Sequence, residues 1–68
     1  MDNPVYKKIQ LVGTSTKSFS DAAANAIEKA SKTVHNMSWF EVDEQRGSIV
    51  DGKIQQYQTT ITVGFRVD

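Results

Sequence analysis

The sequence predicts a small α+β domain with its elements in the order β-α-β-β. Two long β-type stretches are joined by an Asp-Gly pair, a shorter alternating stretch lies near the N-terminus, and one helical apolar stripe lies between them. A chain of 68 residues is one domain at most, so we treat residues 1–68 as a single unit. We expect a three-stranded antiparallel sheet curled over one helix.

The first strand is predicted over Val5–Gly13, where side chains facing opposite sides alternate. Ser18 or Ser20 can cap the helix that follows, and Asp21 three residues after Ser18 resembles a weak capping box. Asn36 is expected to stop the helix in the left-handed conformation. The apolar stripe of this helix consists of Phe19, Ala22, Ala23, Ala26, Ile27, Ala30 and Val34.

The second and third strands are predicted over Trp39–Ile49 and Ile54–Val67. The Asp51-Gly52 pair between them is a strong hairpin signal. In the third strand, one face should cover the helix and the other should point away from it. The mostly apolar, helix-facing set is Tyr57, Thr59, Ile61, Val63, Phe65 and Val67. The mostly polar, outward set is Gln56, Gln58, Thr60, Thr62, Gly64 and Arg66.

One aromatic residue is out of place in this pattern. Phe40 and Val42 should point to the core, because the acidic residues that alternate with them cannot, and Trp39 then falls on the polar face. An exposed large aromatic residue often marks a binding site or a subunit contact, although Trp39 could also simply pack at a strand end. Gln58 and Arg66 are also predicted on an outward face. Together the three side chains suit a flat heteroaromatic ligand with a phosphate.

Composition narrows the function classes. The 8 basic and 8 acidic residues cancel, which argues against binding to a nucleic-acid backbone. With no Cys and one His, disulfides and Cys- or His-rich metal sites are excluded, so self-association is the expected stabiliser of this small core. No apolar run approaches the ~20 residues of a membrane span, and no signal-peptide core precedes the first strand. We therefore expect a cytoplasmic protein with no membrane or nucleic-acid partner.

No catalytic or metal-ligating residue is expected. Glu41, Asp43 and Glu44 are more consistent with a solvated strand face, or with ion pairs to Lys and Arg of a neighbouring subunit, than with a catalytic carboxylate pair. Lys7 and Lys8 read as ordinary strand-edge charges. The serine residues near the helix start have no visible base partner, so they are turn and cap residues rather than nucleophiles.

The run Trp39–Gly47 resembles the signature of the dodecin family, which is tryptophan-phenylalanine-glutamate-valine, then glutamate, then arginine-glycine. Tyr57-Gln58 resembles the tyrosine-glutamine pair of that family's last strand. The resemblance covers nearly the whole chain. Its further matches are Tyr6-Lys7-Lys8, Leu11-Val12-Gly13-Thr14-Ser15, Lys32-Thr33 and Gly64-Phe65-Arg66.

The resemblance implies a hollow homododecamer in which two flavins stack at a two-fold axis, between the same tryptophan of two subunits. Trp39 would then be the stacking plane, and Gln58 would hydrogen-bond the polar edge of the ring. Arg46 would lie beside the flavin or, with equal weight, form a salt bridge between subunits. Arg66 could contact the phosphate.

The same resemblance implies the ligands and the role. An arginine at Arg46 is similar to the bacterial, FMN-preferring branch, with riboflavin or FAD as further ligands. Coenzyme A is a second possible ligand, at Tyr6, Lys32 and Thr33. The implied function is flavin storage and sequestration with quenched photochemistry, not enzymatic turnover. The alternatives are an assembly module without flavin and, less favoured, a flavin-dependent reductase.

Overall fold

Three antiparallel strands and one helix make up the chain in the computed structural model, which describes residues 3–68. The elements are β1 (Tyr6–Ser15), α1 (Phe19–Ala30), β2 (Met37–Val50) and β3 (Lys53–Arg66). The predicted β-α-β-β order is therefore confirmed. Each strand is one to three residues longer than predicted or displaced by one residue, because pairing continues to the ends of the ladders.

The last strand is the centre of the sheet, whose order is β1-β3-β2. Both neighbours pair with β3 in antiparallel register. Asp51 and Gly52 both have positive φ, 52° and 75°, which is the geometry of the tight two-residue hairpin that the Asp-Gly pair predicts. Ser15 at the end of β1 pairs with Tyr57, so the hairpin beyond that point has only two strands.

The helix begins as predicted at Ser18, whose extended backbone and side chain form the N-cap. Its Oγ accepts a hydrogen bond from the backbone N–H of Asp21 at 2.9 Å. The carboxylate of Asp21 accepts from Ser15 Oγ at 2.7 Å, which ties the cap to the end of β1. With 12 residues, the one helix within residues 3–68 is too short and too polar to cross a membrane.

The helix ends earlier than its apolar stripe predicts. It stops at Ala30, where Ser31 Oγ donates to the carbonyl of Glu28 at 2.6 Å and competes with the helical pattern. A turn follows, in which the N–H of Val34 donates to the Ala30 carbonyl at 2.8 Å. Asn36 does adopt the predicted left-handed conformation, with φ 63°, but it leads the chain into β2 rather than ending the helix.

The core lies between α1 and the odd-numbered face of β3, as predicted. Ile61 and Val63 are fully buried against Ala23, and partly buried Ile9 of β1 packs on the same cluster. Thr59 is buried too, and its Oγ1 donates to the carbonyl of Phe19 at 2.8 Å. The helix therefore covers β1 and β3.

Beyond Met37, which packs against the core cluster, the second strand lies outside this cover, and this corrects one prediction. Phe40 and Val42 point to the helix side of the sheet, yet they are 49% and 50% exposed rather than buried. Because α1 packs over β1 and β3, an open apolar groove of about 340 Å³ is left between α1 and β2. The side chains that line it include Phe19, Ala23, Ile27, Phe40 and Val42.

Candidate functional site

The face of the sheet opposite α1, called here the helix-free face, carries most of the predicted site residues. On β2, Trp39 pairs with Gly64, whereas Arg46 pairs with Gln58. Strict alternation would put residues 39 and 46 on opposite faces. A register shift between Val42 and Glu44 inserts one extra residue, so both side chains reach the helix-free face.

The indole of Trp39 packs closely on the backbone of Gly64 in the central strand, and this position is called here the Trp39 seat. A methyl group at Gly64 would overlap three consecutive atoms of the indole six-membered ring, so the ring lies directly on the glycine backbone. Tyr6 packs edge-on against the indole, with ring centroids 5.1 Å apart and planes 61° apart. The indole remains 39% exposed. One side of the ring is therefore occupied by the sheet, Tyr6 covers another part, and the remainder is accessible to a ligand.

The polar edge of the indole is held by an ion pair. Trp39 Nε1 donates a hydrogen bond to Glu41 Oε2 at 3.2 Å, and Lys8 Nζ lies 3.3 Å from the same oxygen. The sequence offered a solvated face or contacts to a neighbouring subunit for Glu41, and the structure shows a half-exposed side chain that also pairs within the chain. Lys8, expected to be an ordinary edge charge, is the partner.

A second acidic residue ties the three strands together just beyond the indole. Asp43 on β2 accepts hydrogen bonds from Thr62 on β3 and from Gln10 Nε2 on β1, the latter at 3.3 Å. These bonds, that from Thr62 first, lower the pKa of Asp43 below its ordinary value, because they favour the charged carboxylate. Asp43 thus links the three strands through hydrogen bonds on the helix-free face.

Gln58 and Arg46 form a separate polar cluster. Arg46 Nε donates to Gln58 Oε1 at 2.7 Å, and Gln58 Nε2 donates to Gln56 Oε1 at 2.8 Å. Gln58 lies six residues from Gly64 along β3, which is roughly 20 Å at the rise of an extended strand. The structure therefore brings Arg46 and Gln58 together but keeps both away from Trp39 of the same chain.

The other predicted residues divide between the two sides of the sheet. Arg66 pairs in register with Tyr6, so both lie at the Trp39 end of the helix-free face. Thr33 lines a groove between α1 and β1 on the opposite side, and Lys32 is exposed in the turn beside it. Tyr6 therefore lies on the face of the sheet opposite the groove that Thr33 lines.

Sequence reasoning missed Gly64, Glu41 and Lys8 as parts of the Trp39 site. The signal for Gly64 was a glycine inside a β-branched strand, which often marks a close approach of another group. The partners of Glu41 depend on register and could not be read from the sequence. Within residues 3–68, no group of three or more His, Cys, Asp or Glu side chains is placed to hold a metal ion.

Comparison with known proteins now bears on this site. The dodecin family model matches residues 5–68. This chain belongs to the dodecin family. It is 44% identical over 64 residues to the dodecin of Thermus thermophilus, covering 94% of this chain and 93% of that protein. The solved structure of dodecin from Streptomyces davaonensis superposes with a TM-score of 0.95 at 46% identity, covering 98% of both chains.

A further relative carries a different ligand in its name. Calcium dodecin of Mycobacterium tuberculosis is 32% identical over 63 residues, covering 93% of this chain and 89% of that protein. Its structure, described as having a novel calcium-binding site, superposes with a TM-score of 0.82, covering 94% of this chain and 91% of that chain. Dodecins are small binding proteins rather than enzymes, and the family is known to form dodecamers.

Proposed function

We propose that this protein binds flavin, with FMN as the preferred form, and holds it in storage without turnover. The observation that carries the proposal is the seat of Trp39: an indole fixed on a glycine backbone, with an accessible surface on the helix-free face. Aromatic side chains held in this way are effective stacking platforms for planar heteroaromatic rings. Family membership supports the same reading.

The charge near the indole favours a ligand with a phosphate. Arg66 lies at the same end of the face, opposite Tyr6 in the ladder. A guanidinium group is always charged and presents a planar fork that matches phosphate oxygens. FMN offers such a group and riboflavin does not, so Arg66 should discriminate between them. FAD also carries phosphates and remains a candidate.

The polar edge of the flavin ring requires a second chain. Gln58 is roughly 20 Å from the Trp39 seat along β3, too far to meet the same ring within one chain. We propose that Gln58 and its partner Arg46 reach the flavin from another subunit of a homododecamer. The half-exposed Phe40 and Val42 support assembly, because a chain this small gains stability by covering such surface.

Storage is preferred over a flavoenzyme on the same geometry. A flavin stacked on Trp39 would have one face closed by the indole, and a second flavin stacked across a two-fold axis would close the other. Indole is a good electron donor at such short range, so it would quench the excited flavin. No face would then remain for a nicotinamide or another substrate.

Two other ligands have less support. The acidic residues nearest the indole are already engaged, Glu41 by Lys8 and Asp43 by Thr62, which gives calcium little to recruit there. Coenzyme A binding by Tyr6, Lys32 and Thr33 stays a prediction.

The proposal is tested by adding FMN to the purified, ligand-free protein and following flavin fluorescence. We expect saturable uptake with strong quenching, and no flavin-dependent oxidation of NADPH in a steady-state assay. Protein that takes up no FMN would favour the pure assembly module. Sustained NADPH turnover would favour the reductase.

A further inference from the structure

We infer that Glu41 and Lys8 are positioning residues that fix the plane of Trp39 before any ligand arrives. The inference rests on the proposed function for its ligand, but the positioning belongs to the ligand-free protein and can be measured there. Each of the two residues acts through the orientation that it gives to Trp39.

Glu41 restricts a motion of the indole that its other contacts allow. Gly64 supports the ring from below, and Tyr6 stops it at one edge. These two contacts are apolar and would tolerate a sliding or tilting ring. The hydrogen bond from Trp39 Nε1 to Glu41 Oε2, 3.2 Å long, fixes the direction of the N–H edge. A charged acceptor makes that bond stronger than a neutral one would.

Lys8 fixes the carboxylate in turn. In register, Lys8 and Trp39 both stand beside Gly64, one from each neighbouring strand. The ammonium of Lys8 reaches across the central strand to Glu41 Oε2 at 3.3 Å. The same oxygen therefore receives the indole N–H and faces the ammonium. The two outer strands are thus coupled across β3 beside the indole, so a substitution at Lys8 on β1 should change the orientation of Trp39 on β2.

The expected effects are graded because the two contacts differ in kind. The Lys8 and Glu41 side chains are 54% and 48% exposed, so solvent weakens their attraction. Loss of Lys8 should cost at most about fivefold in ligand affinity. Loss of the Glu41 acceptor removes the hydrogen bond itself and should cost about two- to tenfold.

The experiment uses the full-length protein, in which Trp39 is the sole tryptophan. Time-resolved fluorescence anisotropy and near-ultraviolet circular dichroism, both read at wavelengths beyond the absorption of tyrosine, then report only this indole. The variants are Glu41→Ala, Glu41→Gln, which keeps an acceptor oxygen, and Lys8→Met. Glu44→Gln is the matched control for Glu41→Gln, since residue 44 lies farther along β2, opposite Thr60.

A second control and the choice of probe separate positioning from general charge effects. Lys7→Met removes the same charge as Lys8→Met, but Lys7 pairs with Phe65 and so faces the other side of β1. Riboflavin is the ligand probe because it carries no phosphate, so a changed protein charge does not act on a charged ligand. Far-ultraviolet circular dichroism and light scattering check that each variant folds and assembles like the parent.

We expect Glu41→Ala to speed the local motion of the indole, to flatten its near-ultraviolet signal and to weaken riboflavin binding. Lys8→Met should do the same to a smaller degree, Glu41→Gln should restore part of both signals, and the two controls should match the parent. Unchanged indole signals in Glu41→Ala and Lys8→Met would overturn the inference. So would a loosened indole that binds riboflavin like the parent. If the parent binds no flavin while the indole signals still change, the proposed function fails and the positioning of Trp39 stands.

Discussion

Replacing Gly64 by alanine should remove the flavin platform while leaving the fold in place. The added methyl group would overlap the six-membered ring of Trp39, so the indole must leave its seat. The backbone of Gly64 has no positive φ, so alanine introduces no backbone strain there. The indole is 39% exposed and has room to swing outward, which lets the chain relieve the overlap without opening the core.

The magnitude follows from the contact that is lost. Stacking of a base-like ring on an aromatic side chain contributes roughly 1–3 kcal/mol by alanine substitution. At about 1.4 kcal/mol per tenfold, FMN affinity should fall by about fivefold to more than a hundredfold. The unfolding midpoint should change little, since the core residues Ile61 and Val63 lie on the other face of the sheet.

Isothermal titration with FMN measures this loss, and a double-mutant cycle assigns it. Gly64→Ala should have almost no further effect in a Trp39→Ala background, because the indole that the methyl group displaces is already gone. The reasoning is refuted if Gly64→Ala binds FMN like the parent, or if it weakens binding equally with and without the indole.

Three further predictions concern charge, acidity and assembly. FMN should bind more tightly than riboflavin, with Arg66→Ala removing part of the difference and salt near 1 M, where the Debye length is ~3 Å, narrowing it; equal affinities at low salt would contradict a phosphate role. Thr62→Val should lower the thermal midpoint at neutral pH, because a depressed pKa at Asp43 stabilises the fold above the ordinary value of 3.8. This difference from the parent should shrink below that value and vanish once the pH has fallen through the depressed pKa; a pH-independent difference would contradict it. Light scattering at micromolar concentration should give roughly twelve times the mass of one chain, and a stable monomer would refute the two-chain flavin site.

The sequence predicted the fold because its strands and helix obey simple periods. The odd positions of β3 proved to be the buried face, and Asp51-Gly52 formed the hairpin turn. It could not predict the lateral position of α1, which depends on how close the helix packs to β1. Phe40 and Val42 were therefore placed in a core that reaches β2 at Met37 but leaves both of them half-exposed.

The site was predictable only in part, for reasons of register. Alternation correctly placed Trp39 on the polar face, but the extra residue between Val42 and Glu44 changes the alternation further along β2. A strand sequence does not show where such a bulge falls. Lys8 on β1 pairs with Glu41 on β2 across the central strand, so this contact can be identified only once the register of both strand pairs is known.

The central claim, that flavin is held by stacking on Trp39, is tested most directly by titrating FMN into the parent and into Trp39→Ala. Flavin fluorescence and its lifetime are recorded while light scattering follows the assembly. We predict saturable quenching of flavin fluorescence by the parent. The Trp39→Ala protein should stay assembled, bind FMN about fivefold to more than a hundredfold more weakly, and leave the flavin largely unquenched. Equal binding and equal quenching by the two proteins would contradict the account, as would a Trp39→Ala protein that dissociates into monomers.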